Sequence, residues 1–176
     1  MIFLVAAVLL SVERIFYVWV WQRPEIFRMW TYNFATGPSL STPVIALQKF
    51  FYGFKMIQLA VLAGWCFYYG NGSPFPTDPN PLALALGGTL ILAGQFLNLS
   101  VFYRLGSTGV FYGNQFGYEI EWCKEFPFSL LDHPQYVGAL LSIWGFFLAI
   151  RFPHPDWYLL PMLETVYYTV GAHFEQ

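Results

Sequence analysis

The chain has 176 residues, of which 57% are hydrophobic, 22% aromatic and only 10% charged. Soluble domains carry about 25% charged residues, so this composition excludes an ordinary water-soluble globule. The net charge of -2 excludes the basic footprint of a nucleic-acid binder.

The length suits one domain, residues 1–176. About 20 mostly apolar residues cross a bilayer as helix. Five segments reach or approach that: Ile2–Trp21, Val44–Tyr69, Leu82–Tyr103, Phe128–Ile150 and Trp157–Phe174. The first lacks a basic leader and a small-residue cleavage site, so it reads as retained rather than as a signal peptide. It carries Glu13 and Arg14 near its middle, which points to a tilted or partly interfacial helix. The last two segments are joined by the short turn Arg151–Asp156 and form a helical hairpin, with Pro161 and Glu164 weakening the second arm. The expected fold is all-α, an integral membrane bundle of four to five transmembrane helices. Gln22–Pro43, the Pro-rich Gly70–Pro81 and Arg104–Pro127 are the remaining connections. Cys66 and Cys123 are far apart, have no metal-ligand spacing, and read as unpaired.

Lysine and arginine placement sets the orientation. With five spans, Gln22–Pro43, Arg104–Pro127 and the C-terminus share a side that holds Arg23, Arg28, Arg104 and Lys124. Gly70–Pro81 holds none, and the hairpin turn adds only Arg151. The basic side is expected to be cytoplasmic, with the N-terminus outside.

The polar residues concentrate in Tyr103–Gly138. Gly106, Gly109, Gly113 and Gly117 recur every three or four residues. On a helix they would permit close packing; in a loop they would admit a ligand to the backbone. Arg104, Tyr112, Asn114, Gln115 and Glu119 set donors and acceptors among them, which packing does not require. Asp132-His133-Pro134-Gln135-Tyr136 reads as a helix start, with Asp132 capping and Pro134 in the first turn. That leaves His133 and Tyr136 unexplained. Gln95 and Asn98 are two amides on one face of the third span, suited to an interhelical hydrogen bond or to a ligand. Glu175 ends the last span, either as a solvated tail or as an anchor for a cation, and Glu164 and the Glu13/Arg14 pair lie where ionisable groups are functional suspects. No phosphate loop, metalloprotease helix or nucleophile elbow is present, and His133, His154 and His173 are too scattered for a metal site.

The segments AGQFLN, LGSTGVFYGNQFG, FPF (Phe126–Phe128) and DHPQYVG (Asp132–Gly138) together resemble the phospholipid N-methyltransferases, most closely the short plant type. The resemblance runs from about Gly87 to Glu175 and implies S-adenosylmethionine as cofactor, with the cofactor and catalytic region at about 92–176. It implies N-methylation of phosphatidyl-N-methylethanolamine and its dimethyl form, with phosphatidylethanolamine as a further substrate left open. Two departures from the family pattern stand out. A Gly-x-Gly motif reads Leu92-Ala93-Gly94, and a C-terminal Glu-Glu pair reads Glu175-Gln176. The wider superfamily, which includes isoprenylcysteine carboxyl methyltransferases, supplies the rival activity, and a non-enzymatic membrane scaffold is the rival class.

Under this resemblance, Gly94, Gln95, Arg104, Gly106, Gly109, Tyr112, Gly113, Pro134 and Glu175 are expected to bind the cofactor. Glu175 would take its ammonium, and Arg104 with the glycine-loop N–H groups its carboxylate. Asn98, Tyr103 and Phe116 are expected at the substrate. His133 and Glu119 are candidate proton acceptors, and Tyr136 completes the catalytic set. Aromatic rings could hold the methylated ammonium by cation–π attraction. The expected partners are the phospholipid and the bilayer, with homo-oligomerisation left open. The expected location is the endoplasmic reticulum in a eukaryote or the inner membrane in a bacterium, with the active site cytoplasmic.

Overall fold

A computed structural model of the chain describes residues 1–34, 42–70, 80–121, 123–150 and 155–175. Arg151, His154, Gln176 and nearly all of the Pro-rich connection Gly70–Pro81 lie outside them. The described residues form six helices: α1 (Ile2–Gln22), α2 (Pro24–Phe34), α3 (Pro43–Tyr69), α4 (Pro81–Val110), α5 (Pro134–Ala149) and α6 (Leu159–Phe174). α1, α3 and α4 are long and apolar enough to cross a bilayer, and α5 is a shorter apolar helix. The described residues form an all-helical membrane bundle, as the segment pattern implies. Cys66 and Cys123 are both free.

Prolines and capping amides set the helix starts. Pro43 and Pro81 each occupy the first turn, where no N–H is missed. Thr42 Oγ1 accepts from the Ile45 amide, and Asn80 Oδ1 from those of Leu82 and Ala83, satisfying donors that a helix start leaves open.

Three boundaries differ from the sequence expectation. The connection Gln22–Pro43 contains α2, whose Phe27 and Thr31 are buried while Ile26, Met29 and Tyr32 stay exposed. Such an amphipathic helix suits the membrane interface. The third span runs on past Tyr103 to Val110, its helical geometry broken only at Gly106 (φ 62°, ψ 178°). The fourth begins at Pro134 rather than Phe128, because residues 126–133 form turns, including Leu131 N–H to Pro127 carbonyl at 3.2 Å. Proline disfavours helical backbone in the residue before it, and His133 (φ −124°, ψ 65°) is duly non-helical. The cap of α5 is therefore His133, not Asp132, and no side chain bonds the cap amides.

The α4–α5 pair is the most extensive helix contact in the bundle. Glycine explains its closeness. A Cβ on Gly94 would strike the Gly138 carbonyl oxygen, and one on Gly138 would lie 2.7 Å from that of Gly94. One on Gly87 would lie 2.5 Å from the Gly145 carbonyl oxygen, and one on Gly145 would lie 2.5 Å from that of Gly87. Two backbone-to-backbone rungs, seven residues apart on each helix, thus join α4 to α5. Small residues allow this approach in lipid, where dispersion rather than water drives helix association.

Candidate active site

The C-terminal ends of α1, α4 and α6 and the N-terminal ends of α3 and α5 share one end of the bundle. Contacts across it are direct: the Tyr112 ring lies 5.9 Å from Tyr17 and 5.2 Å from Trp21, and Phe27 of α2 lies 5.7 Å from Phe116. From this end a cavity of about 840 Å³ runs inward between the helices. That is within the ~300–1,000 Å³ range of small-molecule sites.

Glu175 stands at its mouth as the C-cap of α6. Its carboxylate accepts from the Tyr112 hydroxyl at 2.8 Å and the Tyr136 hydroxyl at 2.5 Å. The three residues come from three separate parts of the chain. Tyr112 holds a left-handed backbone (φ 57°, ψ 31°) although it is not glycine. Such a conformation costs about 1–3 kcal/mol and clusters at functional sites. Here the Glu175 bond and the Tyr17 and Trp21 rings hold it. His133 lines the cavity with its ring near-parallel to that of Tyr136, 5.7 Å away.

Of the residues singled out from the sequence, the cavity gathers Glu13, Arg14, Gln95, Asn98, Gly109, Tyr112, Asp132, His133, Pro134, Tyr136 and Glu175. Gln95 donates to Ser142 Oγ at 2.9 Å, bridging α4 to α5. Asn98 Oδ1 is buried with no hydrogen-bond partner among the described residues. Other candidates stand elsewhere. Gly94 is in the α4–α5 seam. Arg104 is exposed and bonded to Glu125 (2.6 Å) and the Phe126 carbonyl (3.2 Å). Tyr103 is 86% exposed, Glu119 is exposed, and Phe116 is buried in the aromatic cluster beside α2. Gly106 is exposed with open space around it, and Gly113 is packed against Thr108. The four loop glycines share no single helix face. Gly106 and Gly109 lie in α4, Gly113 opens a 3-10 turn, and Gly117 is left-handed (φ 89°).

The deep wall was only partly foreseen. Glu13 Oε1 lies 3.2 Å from Arg14 and 3.0 Å from Lys55 Nζ. Lys55 also donates to Gln58 Oε1 (2.9 Å) and the Tyr168 hydroxyl (3.3 Å), and Gln58 donates to Glu164 at 2.7 Å. Two cations and two carboxylates thus join α1, α3 and α6. Charges in lipid are expensive unless paired inside the bundle, and this set is paired there. Glu13, Arg14 and Glu164 were suspects from the sequence, whereas Lys55, Gln58 and Tyr168 were not. A lysine inside the apolar run FFYGFKMIQLA was the available signal.

No metal-ligating cluster occurs among the described residues. A paired carboxylate at the mouth with aromatic rings beside it suits an organic cation better than an ion that needs several acids.

The sequence model of the phospholipid methyltransferase family matches residues 82–176, more than half of the chain. A phosphatidyl-N-methylethanolamine N-methyltransferase of Arabidopsis thaliana is 48% identical over 54 residues, covering 31% of this chain and 33% of that protein. The phosphatidylethanolamine N-methyltransferase of Homo sapiens is 37% identical over 97 residues, covering 54% and 48%. That of Mus musculus is 32% identical over 127 residues, covering 70% and 63%. The chain thus spans less than two thirds of the length of these relatives. No solved structure matches it. The matched region includes α4, the polar turns, α5 and α6, with Tyr112, His133, Tyr136 and Glu175 among its residues, and the chain belongs to the phospholipid methyltransferase family.

Proposed function

We propose that this chain N-methylates a phospholipid amine, phosphatidyl-N-methylethanolamine or its dimethyl form, to yield phosphatidylcholine, with S-adenosylmethionine as the methyl donor. The observation that carries the reading is the convergence of Glu175, Tyr112 and Tyr136 at the mouth of a cavity that continues into the bundle. The end of the bundle that bears the mouth also bears Arg23, Arg28, Arg104 and Lys124, which favours the cytoplasmic side.

The residues present fit the donor. Bound here, it supplies a methyl group on a positively charged sulfur. Glu175 still has lone pairs beyond the two tyrosine bonds, since a carboxylate offers about four acceptor sites, and these suit the donor's ammonium. The Tyr112 and Tyr136 rings offer faces to a cation, worth about 0.5–2 kcal/mol each. Asn98 Oδ1, unpaired within the protein, suits a donor group of the substrate. The catalytic work of the protein is then to hold two reactants in line and to remove one proton, because an alkylammonium keeps its proton to about pH 10. His133, lining the cavity beside Tyr136, is the acceptor in this reading.

Purified protein in nanodiscs, offered unmethylated, monomethyl and dimethyl phosphatidylethanolamine separately, is expected to convert the last two to phosphatidylcholine by mass spectrometry. Methyl transfer to a prenylated cysteine carboxylate instead would overturn the reading, as would no transfer to any lipid. His133→Ala is expected to lower kcat about 10²–10⁴-fold. An unchanged kcat would exclude it as the base.

A further inference from the structure

Two buried polar atoms of α1 beside the cavity have no hydrogen-bond partner among the described residues: Arg14 Nε and the Tyr17 hydroxyl. Arg14 is 8% exposed, one turn before Tyr17. Its Nη2 lies 3.2 Å from Glu13, and its guanidinium carbon lies 3.7 Å from the centroid of the Tyr168 ring and 5.7 Å from that of Tyr136. The Nε–H remains unpaired. Leaving such a group buried and unbonded is costly, and a guanidinium edge is shaped for a carboxylate.

The position of Arg14 relative to Glu175 identifies the missing partner. A Cβ on Gly171 would lie 3.9 Å from Arg14 Cδ, and Gly171 precedes Glu175 by about one helical turn, ~5.4 Å. Tyr136, whose hydroxyl bonds Glu175, stands beside both groups. The cavity therefore offers an anion at its mouth and a buried cation one to two turns further in, its stem beside Gly171 and its guanidinium over Tyr168, on different helices. An α-amino acid carries its ammonium and carboxylate on one carbon. Two hydrogen bonds of about 3 Å, one at each end, let it bridge such a gap. Arg104, the cation expected from the sequence, is bonded instead to Glu125 and Phe126.

We propose that Arg14 binds the carboxylate of the methyl donor's amino-acid group, opposite Glu175, which binds its ammonium. Arg14 precedes the residues matched by the family model, 82–176, so α1 completes a site whose other walls come from the matched region. The inference rests on the methyl-donor reading above.

The test is calorimetric binding of three ligands to the full chain in detergent or nanodiscs: S-adenosylhomocysteine, its decarboxylated analogue, and methylthioadenosine, which lacks the amino-acid group. Wild-type protein is expected to bind S-adenosylhomocysteine about 10–100-fold more tightly than the decarboxylated analogue. Arg14→Gln is expected to erase that difference while leaving methylthioadenosine affinity unchanged. The wild-type comparison stands even if the variant fails to fold. Equal wild-type affinities for the first two ligands would overturn the proposal and leave the donor reading intact. No binding of S-adenosylhomocysteine to wild type would overturn both. A variant that keeps the wild-type preference for the carboxylate and raises only the KM for lipid would assign Arg14 to the phosphodiester of the substrate, against the proposal.

Discussion

Adding one methyl group at Gly87 or Gly94 is expected to destabilise the protein and impair catalysis, whereas adding it at Gly88 is not. A Cβ on Gly87 meets backbone and side-chain atoms of α5 at 2.5–2.7 Å, and one on Gly94 strikes the Gly138 carbonyl oxygen. Neither obstacle is the end of a flexible side chain, so the helices must separate. Overpacking of this kind costs about 1–3 kcal/mol, and a rigid backbone contact belongs at the upper end. Gly88 faces open space, so alanine there brings only its better helix propensity, about 0.5–1 kcal/mol in favour of folding. The catalytic consequence follows from what the two helices carry. α4 holds Gln95 and Asn98, and α5 holds Tyr136 and Ser142. Moving them apart breaks the Gln95–Ser142 bond of 2.9 Å and widens the cavity. Thermal unfolding in detergent, followed by tryptophan fluorescence, should show Gly87→Ala and Gly94→Ala melting well below wild type and Gly88→Ala at or above it. Equal shifts at Gly87 and Gly88 would sink the argument.

This seam also marks where the sequence stops being legible. The spans were readable because each is a long apolar run, and the polar stretch Tyr103–Gly138 was readable because it contrasts with them. Within that stretch, Tyr112, His133 and Tyr136 do line the cavity, and Glu175 joins them from the end of the last span. The glycines were harder. Those chosen from the sequence for possible helix packing were Gly106, Gly109, Gly113 and Gly117, yet the backbone rungs use Gly87, Gly94, Gly138 and Gly145. Gly87 and Gly94 match Gly138 and Gly145 only once α4 and α5 are set antiparallel, and no local spacing announces that. Arg104 illustrates a related limit. It is close in sequence to the site but points to Glu125, whereas Arg14, far from it in sequence, lies beside Tyr136 and Tyr168. Charge type was legible; which charge the fold turns inward was not. The turn before α5 was misread because Phe126–Phe128 is apolar enough to extend a span on hydropathy, while Pro127 and Pro134 prevent helix there.

Glu175 carries the second large expectation. Under the proposed reading its carboxylate performs two tasks, receiving the tyrosine hydroxyls and holding the donor's ammonium. Glu175→Gln keeps the shape but replaces one acceptor oxygen by an NH₂ donor. That group cannot accept from a tyrosine hydroxyl, and the amide has no charge to attract the ammonium. A hydrogen bond to a charged group is worth about 1.5–3 kcal/mol, so affinity for S-adenosylhomocysteine should fall about 10–100-fold. Glu175→Ala should fall at least as far and also free Tyr112 from its left-handed conformation, which Glu175 helps to hold. Tyr112→Phe separates the two tasks. It removes one hydrogen bond while keeping the ring against Tyr17 and Trp21 and the carboxylate in place, so its loss of affinity should be smaller than that of Glu175→Gln. Methylthioadenosine, with no ammonium, should bind Glu175→Gln and Tyr112→Phe as it binds wild type. Calorimetry with the two ligands reads this directly. If both Glu175 variants keep wild-type affinity for S-adenosylhomocysteine, the carboxylate serves only the tyrosines and the ammonium must be held elsewhere. If both ligands weaken together, Glu175 shapes the pocket rather than binding the cation. Only a loss confined to the ligand with the amino-acid group ties the charge of Glu175 to the donor.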